Sequence, residues 1–393
     1  MISKDMVRLG TARSVIREIF EFGKSRAAIV GEENVLDFSL GNPSIPAPAA
    51  VQDAIRDMID NLPPKAYHSY TSSVGDNNTR TAIADNLNKR YGTNYGMNNV
   101  FMTCGAAASL NITFRALIAS PEDEIMVCVP YFPEYKVFIE GQGGKVVTVP
   151  PTKELYIDVE ALEQKITKNT KAIVINSPNN PSGVIYPESN LKEVCSVLKK
   201  KSEEYGSPIY IITDEPYREL VYTDIKPAHL PLLYANTIIN YSWSKSLSLP
   251  GERIGYILVP NSVVNYEELY AAVGGAARTL GYVCAPSMFQ RVVEKCINVE
   301  MDMSVYKKNR EILYENLTKL GYNLANPDGA FYMFIETPEK DGEAFCERAK
   351  KYDLLLVPGI GFGSKEYVRL AYCVDTAKIE KSIAVFEKLI KES

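Results

Sequence analysis

Between about residues 98 and 260 the chain repeats one pattern, a short and almost unbroken apolar run followed by a stretch with helical spacing. The runs are Val100 to Thr103, Ile125 to Val129, Ala172 to Ile175, Ile209 to Ile212 and Ile238 to Tyr241. A strand with one wet face alternates apolar and polar residues; these runs do not, so both faces need cover. Doubly covered strands separated by helical stretches predict an α/β fold, with a mostly parallel central sheet flanked by helices. Open sheets of this type take their ligands at the carboxyl ends of the strands. The loops that follow each run are therefore where chemistry is expected.

The flanks read differently. Ile16, Ile19 and Phe20 fall at helical spacing near the start, ahead of a Gly/Pro-dense loop from Leu40 to Pro48. Near the other end, Asp375-Thr376 can cap a helix whose apolar stripe is Ile379, Ile383, Phe386 and Ile390. At 393 residues the chain exceeds the roughly 250 to 300 at which a single core stops growing, so two domains are expected. The boundaries drawn from these signals are a large domain over 45–285 and a smaller α/β domain over 286–393, the latter completed by an N-terminal arm, 1–44.

Composition removes several kinds of function. A formal net charge of −5, with no long Lys/Arg run, gives no reason to expect nucleic-acid binding. No segment has the 18 or so unbroken apolar residues of a membrane span, and the opening residues lack a secretory signal's apolar core. Seven dispersed cysteines without a CxxC pair suit a reducing compartment, so a cytoplasmic protein is expected. The two histidines, His68 and His229, lack metal-ligand spacing, and no G-x-S-x-G elbow is present. Neither a metal centre nor a serine hydrolase is expected, which leaves lysine, tyrosine, carboxylates or a cofactor to do the chemistry.

Four loops gather the candidates. Ser242-Trp243-Ser244-Lys245 follows the run ending at Tyr241, with Arg253 eight residues beyond the lysine. An amine there suits imine formation while the arginine holds a phosphate, although a lysine taken singly is an ordinary surface charge. Asp214-Glu215-Pro216-Tyr217 puts a carboxylate and a phenol at another strand end, where a strand-ending turn is the plainer reading. Asn176 to Gly183 is a dense turn. Thr103 to Leu110 joins a strand to a helix through Gly105 and small residues that let backbone N–H groups approach a phosphate, or that simply pack closely.

In order and separation, Asn180-Pro181-Ser182-Gly183, Asp214-x-x-Tyr217, Ser242-x-x-Lys245 and Gly251-x-Arg253-x-Gly255 resemble the class I/II aminotransferases of pyridoxal-phosphate (PLP) fold type I. Gly41-Asn42-Pro43, Tyr70-x-x-x-x-Gly75, Pro130 to Pro133, Gly329 to Tyr332 and Pro358-Gly359 through to Arg369 extend the likeness over nearly the whole chain, which looks aspartate-aminotransferase-like. The resemblance implies a PLP-dependent transferase of amino-acid metabolism, moving an amino group from an L-amino acid to a 2-oxo acid, with aspartate and 2-oxoglutarate as first choice. Neutral or aromatic donors, or the carbon–sulfur lyase chemistry of a related branch, are the alternatives.

Residue by residue, the resemblance implies that Lys245 holds PLP as a Schiff base and shuttles the proton at the substrate α-carbon. Asp214 would pair with the pyridine nitrogen, Asn180 and Tyr217 would hydrogen-bond the ring oxygen, and Phe132 would stack on the ring. The phosphate would be held by Arg253, Ser242 and the backbone at Gly105, Ala106 and Ala107, with Tyr70 reaching in from a second subunit of a homodimer. Arg369 would clamp the substrate α-carboxylate, assisted by the backbone of Gly41 and by Asn180. One position departs from the pattern: Ala107 stands where some bacterial aspartate aminotransferases have a lysine for the distal carboxylate. Arg13 or Arg17 of the N-terminal arm could supply that cation instead.

Overall fold

The structure is a computed structural model that describes residues 2–11 and 15–392. The chain divides into two compact units: Met1–Ile45, Asn180–Val184 and Met303–Ser393 form one, and Pro46–Asn179 with Ile185–Asp302 form the larger.

Strand β1 (Leu36–Asp37) belongs to the smaller unit. The larger unit is built on β2 (Val100–Thr103), β3 (Glu124–Cys128), β4 (Lys145–Val149), β5 (Thr170–Asn176), β6 (Tyr210–Asp214), β7 (Thr237–Ser242) and β8 (Gly255–Leu258). These form one seven-stranded sheet in the order β2-β8-β7-β6-β5-β3-β4. Only β8 runs against its neighbours; the other pairings are parallel. All five apolar runs form strands. β4 and β8 lie outside the five runs, and burial explains β4: it is an edge strand whose side chains are partly wet, so it carries no unbroken apolar run.

Alternation along the strands sends side chains to two separate cores. Met102, Ile239 and Leu258 pack on one side with Met58, Ile83 and Val292. Phe101, Ile238 and Ile257 pack on the other with Ile112 and Val273. Each fully buried side chain of this size contributes about 1.5–3 kcal/mol, which is why the runs are almost wholly apolar. The helix Ser287–Lys295 packs against Ala49–Asn61, Pro64–His68 and Asn77–Tyr91, and residues 287–302 lie in the larger unit.

In the smaller unit, β9 (Asn323–Leu324), β10 (Tyr332–Glu336), β12 (Val357–Pro358) and β13 (Tyr367–Ala371) make an antiparallel sheet in the order β12-β13-β10-β9, and β11 (Leu354–Leu355) pairs in parallel with β1. The N-terminal helix Val15–Val30 is tied here by an Arg26–Asp353 ion pair at 2.6 Å. Residues 180–184 join this unit, where the Gly329 N–H donates to the Gly183 carbonyl at 2.9 Å. The terminal helix is Thr376–Lys391, but its buried stripe is Ile379, Ser382, Phe386 and Leu389, with Ile383 and Ile390 only half-buried. Asp375 occupies its N-cap without accepting a side-chain cap bond, and Thr376 instead donates to Asn309 at 2.7 Å.

Candidate active site

Sheet register brings the larger unit's candidates to one edge. Thr103 pairs with Gly255, Gly255 with Ser242, and Asp214 with both Asn240 and Asn176. The ends of β2, β7, β6 and β5 and the start of β8 are thus side by side, so Gly105, Ser242, Lys245, Asp214 and the Arg253 segment share a rim.

Asp214 ends β6 and is buried. Its Oδ2 accepts a 2.6 Å hydrogen bond from the Tyr135 hydroxyl, and its backbone carbonyl accepts from Asn176 Nδ2 at 2.7 Å. Its Oδ1 is buried with no hydrogen-bond partner among the described residues. Burial pushes the carboxyl up to about 7, the Tyr135 hydroxyl opposing and the Glu215 charge adding. A buried acceptor left open on an ionisable carboxyl is costly unless a donor arrives, and a cationic N–H is the donor that satisfies both its lone pair and its charge. That is what a protonated pyridine ring presents.

Tyr135 was missed by the sequence reading. It lies one helical turn beyond Phe132, and the two rings meet edge to face at 5.6 Å and 84°. The phenol is held well above its ordinary pKa, first by burial and then by the Asp214 carboxylate. The signal available in Pro130 to Tyr135 was a second aromatic with a polar tip, which needs a partner when buried.

A second feature fits a phosphate. Gly105 caps the helix Ala106–Leu117 with φ +84° and no side chain, leaving the first N–H groups of that helix unblocked. The Arg253 guanidinium lies over it: a Cβ on Gly105 would sit 3.0 Å from Nη2 and 3.1 Å from Cζ. Arg253 itself takes φ +52°, and its Nη1 donates to the Pro250 carbonyl at 3.0 Å. Ser242 is buried and donates to Ser244 Oγ at 3.1 Å. A helix N-terminus, an arginine fork and a hydroxyl converging on a cradle that any side chain at 105 would fill make an anion site. The open carboxyl and the anion cradle both fit PLP. Tyr217 is buried, Lys245 is half-buried in the turn after β7, and Tyr70 is 95% exposed.

In the smaller unit, β13 presents Arg369, which is buried. Its Nη1 donates to Asn180 Oδ1 at 3.2 Å and its Nη2 to the Ser39 carbonyl at 2.6 Å. The rings of Tyr332 and Phe362 flank the guanidinium, their centroids 4.7 and 5.0 Å from Cζ. The Tyr332 hydroxyl occupies the space a Cβ at Gly41 would need. Arg369, Asn180 and Gly41 are thus brought together as a fixed, planar cation that suits a carboxylate. Arg17 lies on the helix Val15–Val30, whereas Arg13 lies outside the described residues. Among the described residues no group of His, Cys, Asp and Glu could hold a metal ion, and no helix is long and apolar enough to cross a membrane.

Residues 33–386 match the family model described as aminotransferase class I and II. The chain is 30% identical to an aspartate aminotransferase of Pyrococcus horikoshii, over 96% of this chain and 95% of that one. It is similar to the crystal structure of an amino transferase from Eubacterium rectale, with TM-score 0.98 and 53% identity over 100% and 99% of the two chains. An aspartate aminotransferase from Thermotoga maritima superposes with TM-score 0.87 at 27% identity over 99% and 100%.

Proposed function

Because this chain belongs to the class I and II aminotransferases and works with PLP, we propose that it takes the amino group from aspartate and delivers it to 2-oxoglutarate, using the residues gathered at the sheet rim and around Arg369. Bound PLP supplies the electron sink that makes the substrate α-carbon acidic. The residues supply orientation and proton control. Lys245 carries the cofactor and moves the proton at the α-carbon. Asp214 holds the ring nitrogen in its protonated form, and Tyr135 holds Asp214 ionised and oriented. Tyr217 and Asn180 donate to the ring oxygen, Phe132 covers the ring face, and Ser242, Arg253 and the N–H groups at Gly105, Ala106 and Ala107 anchor the phosphate. Arg369, aimed by its flanking rings, takes the substrate α-carboxylate. The larger unit is then the PLP-binding domain.

The observation that carries the cofactor assignment is the buried Asp214 Oδ1, which has no hydrogen-bond partner among the described residues. The donor is supported by likeness to relatives named aspartate aminotransferases. Against it stands Ala107, which cannot pair with a distal carboxylate, and an unpaired carboxylate in a pocket loses hydration without return. The kcat/KM values for aspartate, alanine and tyrosine, each with 2-oxoglutarate, test the choice. Aspartate is expected to lead; an order with aspartate below both neutral donors assigns the enzyme to neutral or aromatic substrates.

We also place the enzyme in the cytoplasm as a homodimer, with Tyr70 of one subunit contacting the phosphate held by the other. Support comes from Tyr70 itself, a large ring left 95% exposed by its own chain. Mixing inactive Lys245→Ala and Tyr70→Ala chains is expected to restore activity in heterodimers; full activity in a monomer refutes the arrangement.

A further inference from the structure

Behind the rim of the larger unit lies a cluster of charges that none of the roles above uses, buried at Arg218 and Glu215 and reaching solvent at Glu219 and Arg90. Arg218 is its centre. Its Nη1 donates to Glu215 Oε2 at 3.1 Å and to the Tyr256 hydroxyl at 3.2 Å, and its Nε donates to Glu219 Oε1 at 3.0 Å. The guanidinium also covers the Tyr241 ring, 4.1 Å from the centroid. Arg90 donates to the same Glu219 oxygen at 3.0 Å. Glu219 Oε2 accepts from the Tyr241 hydroxyl at 3.0 Å, and that hydroxyl lies 2.8 Å from Ser246 Oγ. Glu215 is tied back to β6 by Thr213, whose hydroxyl donates to Oε1 at 2.7 Å.

Several of these contacts fall on or close to the chain neighbours of cofactor-holding residues. Glu215 follows Asp214, Tyr241 precedes Ser242, Ser246 follows Lys245, and Tyr256 lies three residues after Arg253. Neighbouring residues in a strand point to opposite faces, so a residue that faces the ligand is backed by one that cannot. Tyr241 and Tyr256 are register partners across β7 and β8, with rings 5.0 Å apart, and the next pair along is Ser242 with Gly255. The two tyrosines thus lie one register step from Ser242 and from Gly255, where a Cβ would come within 3.0 Å of Gly105.

Stability does not account for such a cluster. Replacing buried ionised groups by apolar side chains of equal volume is often neutral or stabilising, so what the cluster secures is geometry. Burial does raise the Glu215 carboxyl, Arg218 opposing it, whereas at Glu219 the pull of Arg218 and Arg90 outweighs burial and lowers the carboxyl. The planar fork of one arginine addresses two carboxylates and a phenol while stacking on a second ring, which a lysine cannot do.

We propose that Arg218 is a positioning residue that aligns Asp214, Ser242, Lys245 and Arg253 as one cofactor-holding set. The proposal rests on the reading that those residues hold PLP. Its test is the PLP dissociation constant of full-length holoenzyme, by equilibrium dialysis, together with the visible circular dichroism of the bound cofactor. Arg218→Lys, Arg218→Met, the charge-compensated Arg218→Met/Glu215→Gln and Arg253→Ala are compared at a temperature where thermal unfolding shows each to be folded. Loss of an orienting residue weakens the ligand it serves on the order of 10- to 100-fold. That loss, with a reduced dichroic band, is expected for Arg218→Met and for the double variant, and a smaller loss for Arg218→Lys, which keeps the charge without the fork. The double variant keeps the test open if Arg218→Met alone fails to fold. If the folded Arg218 variants hold PLP with wild-type affinity and dichroism while Arg253→Ala releases it, the positioning role is wrong and the cofactor site stands. If Arg253→Ala also holds PLP normally, both are wrong.

Discussion

Replacing Asp214 by asparagine should make the cofactor-free protein more stable at alkaline pH while weakening its hold on PLP. The folded carboxyl is raised from its ordinary 3.8 to about 7 by burial, with Glu215 adding and Tyr135 opposing. A folded state that holds the proton more tightly than the unfolded chain is favoured below about pH 4, and that advantage is lost as pH rises through about 7. At about 1.4 kcal/mol per pH unit the whole loss is about 4 kcal/mol, of which about 3 kcal/mol falls between about pH 5 and pH 8.5. Asparagine has the same shape and never ionises, so it removes this slope. Urea unfolding of apoprotein, followed by fluorescence of Trp243, the single tryptophan and a buried residue of the larger unit, reads the difference. Wild-type protein is expected to lose about 3 kcal/mol more than Asp214→Asn across that interval, and saturating PLP, whose ring nitrogen brings a cationic donor, to restore it in wild type only. Parallel pH profiles for the two apoproteins would falsify the claim that Asp214 sits as an open, costly carboxyl.

Three smaller outcomes follow from the same geometry. Gly105→Ala puts a Cβ at φ +84° and 3.0 Å from the Arg253 guanidinium, so it should cost about 1–2 kcal/mol of stability and release PLP, read by melting and cofactor absorbance. Gly41→Ala drives a methyl into Tyr332 and so disturbs the ring under Arg369; KM for the amino donor should rise about tenfold with kcat little changed, and an unchanged KM refutes the link. Burial pushes the Cys128 and Cys346 thiols up to about 12, so alkylation at about pH 8 should spare both until the protein unfolds, as peptide mass spectrometry will show.

The sheet was legible because burial on both faces leaves an apolar run that few other structures need. Edge strand β4 escaped because half-wet strands do not carry that mark, and the terminal helix shows the same limit at finer scale. Its stripe is rotated toward Ser382 and Leu389, since a buried serine that donates to the Ile379 carbonyl at 2.7 Å is invisible to an apolar count. Strand-end candidates such as Asp214, Ser242 and Arg253 could be named from order and spacing. Tyr135 showed only as an aromatic with a polar tip, and the Arg218 cluster not at all, because what marks both is a partner distant in the chain: 79 residues separate Tyr135 from Asp214 and 38 separate Arg218 from Tyr256. Arg218 in particular reads in sequence as one more charge in a polar turn.

The claim on which everything else depends is that Lys245 carries the cofactor. Reducing the holoenzyme with borohydride fixes PLP to whichever amine holds it, and digestion followed by mass spectrometry locates the adduct. The expected result is a single pyridoxyl group on the peptide containing Ser244-Lys245-Ser246, absent from Lys245→Ala. A stoichiometric adduct on any other lysine would contradict the account.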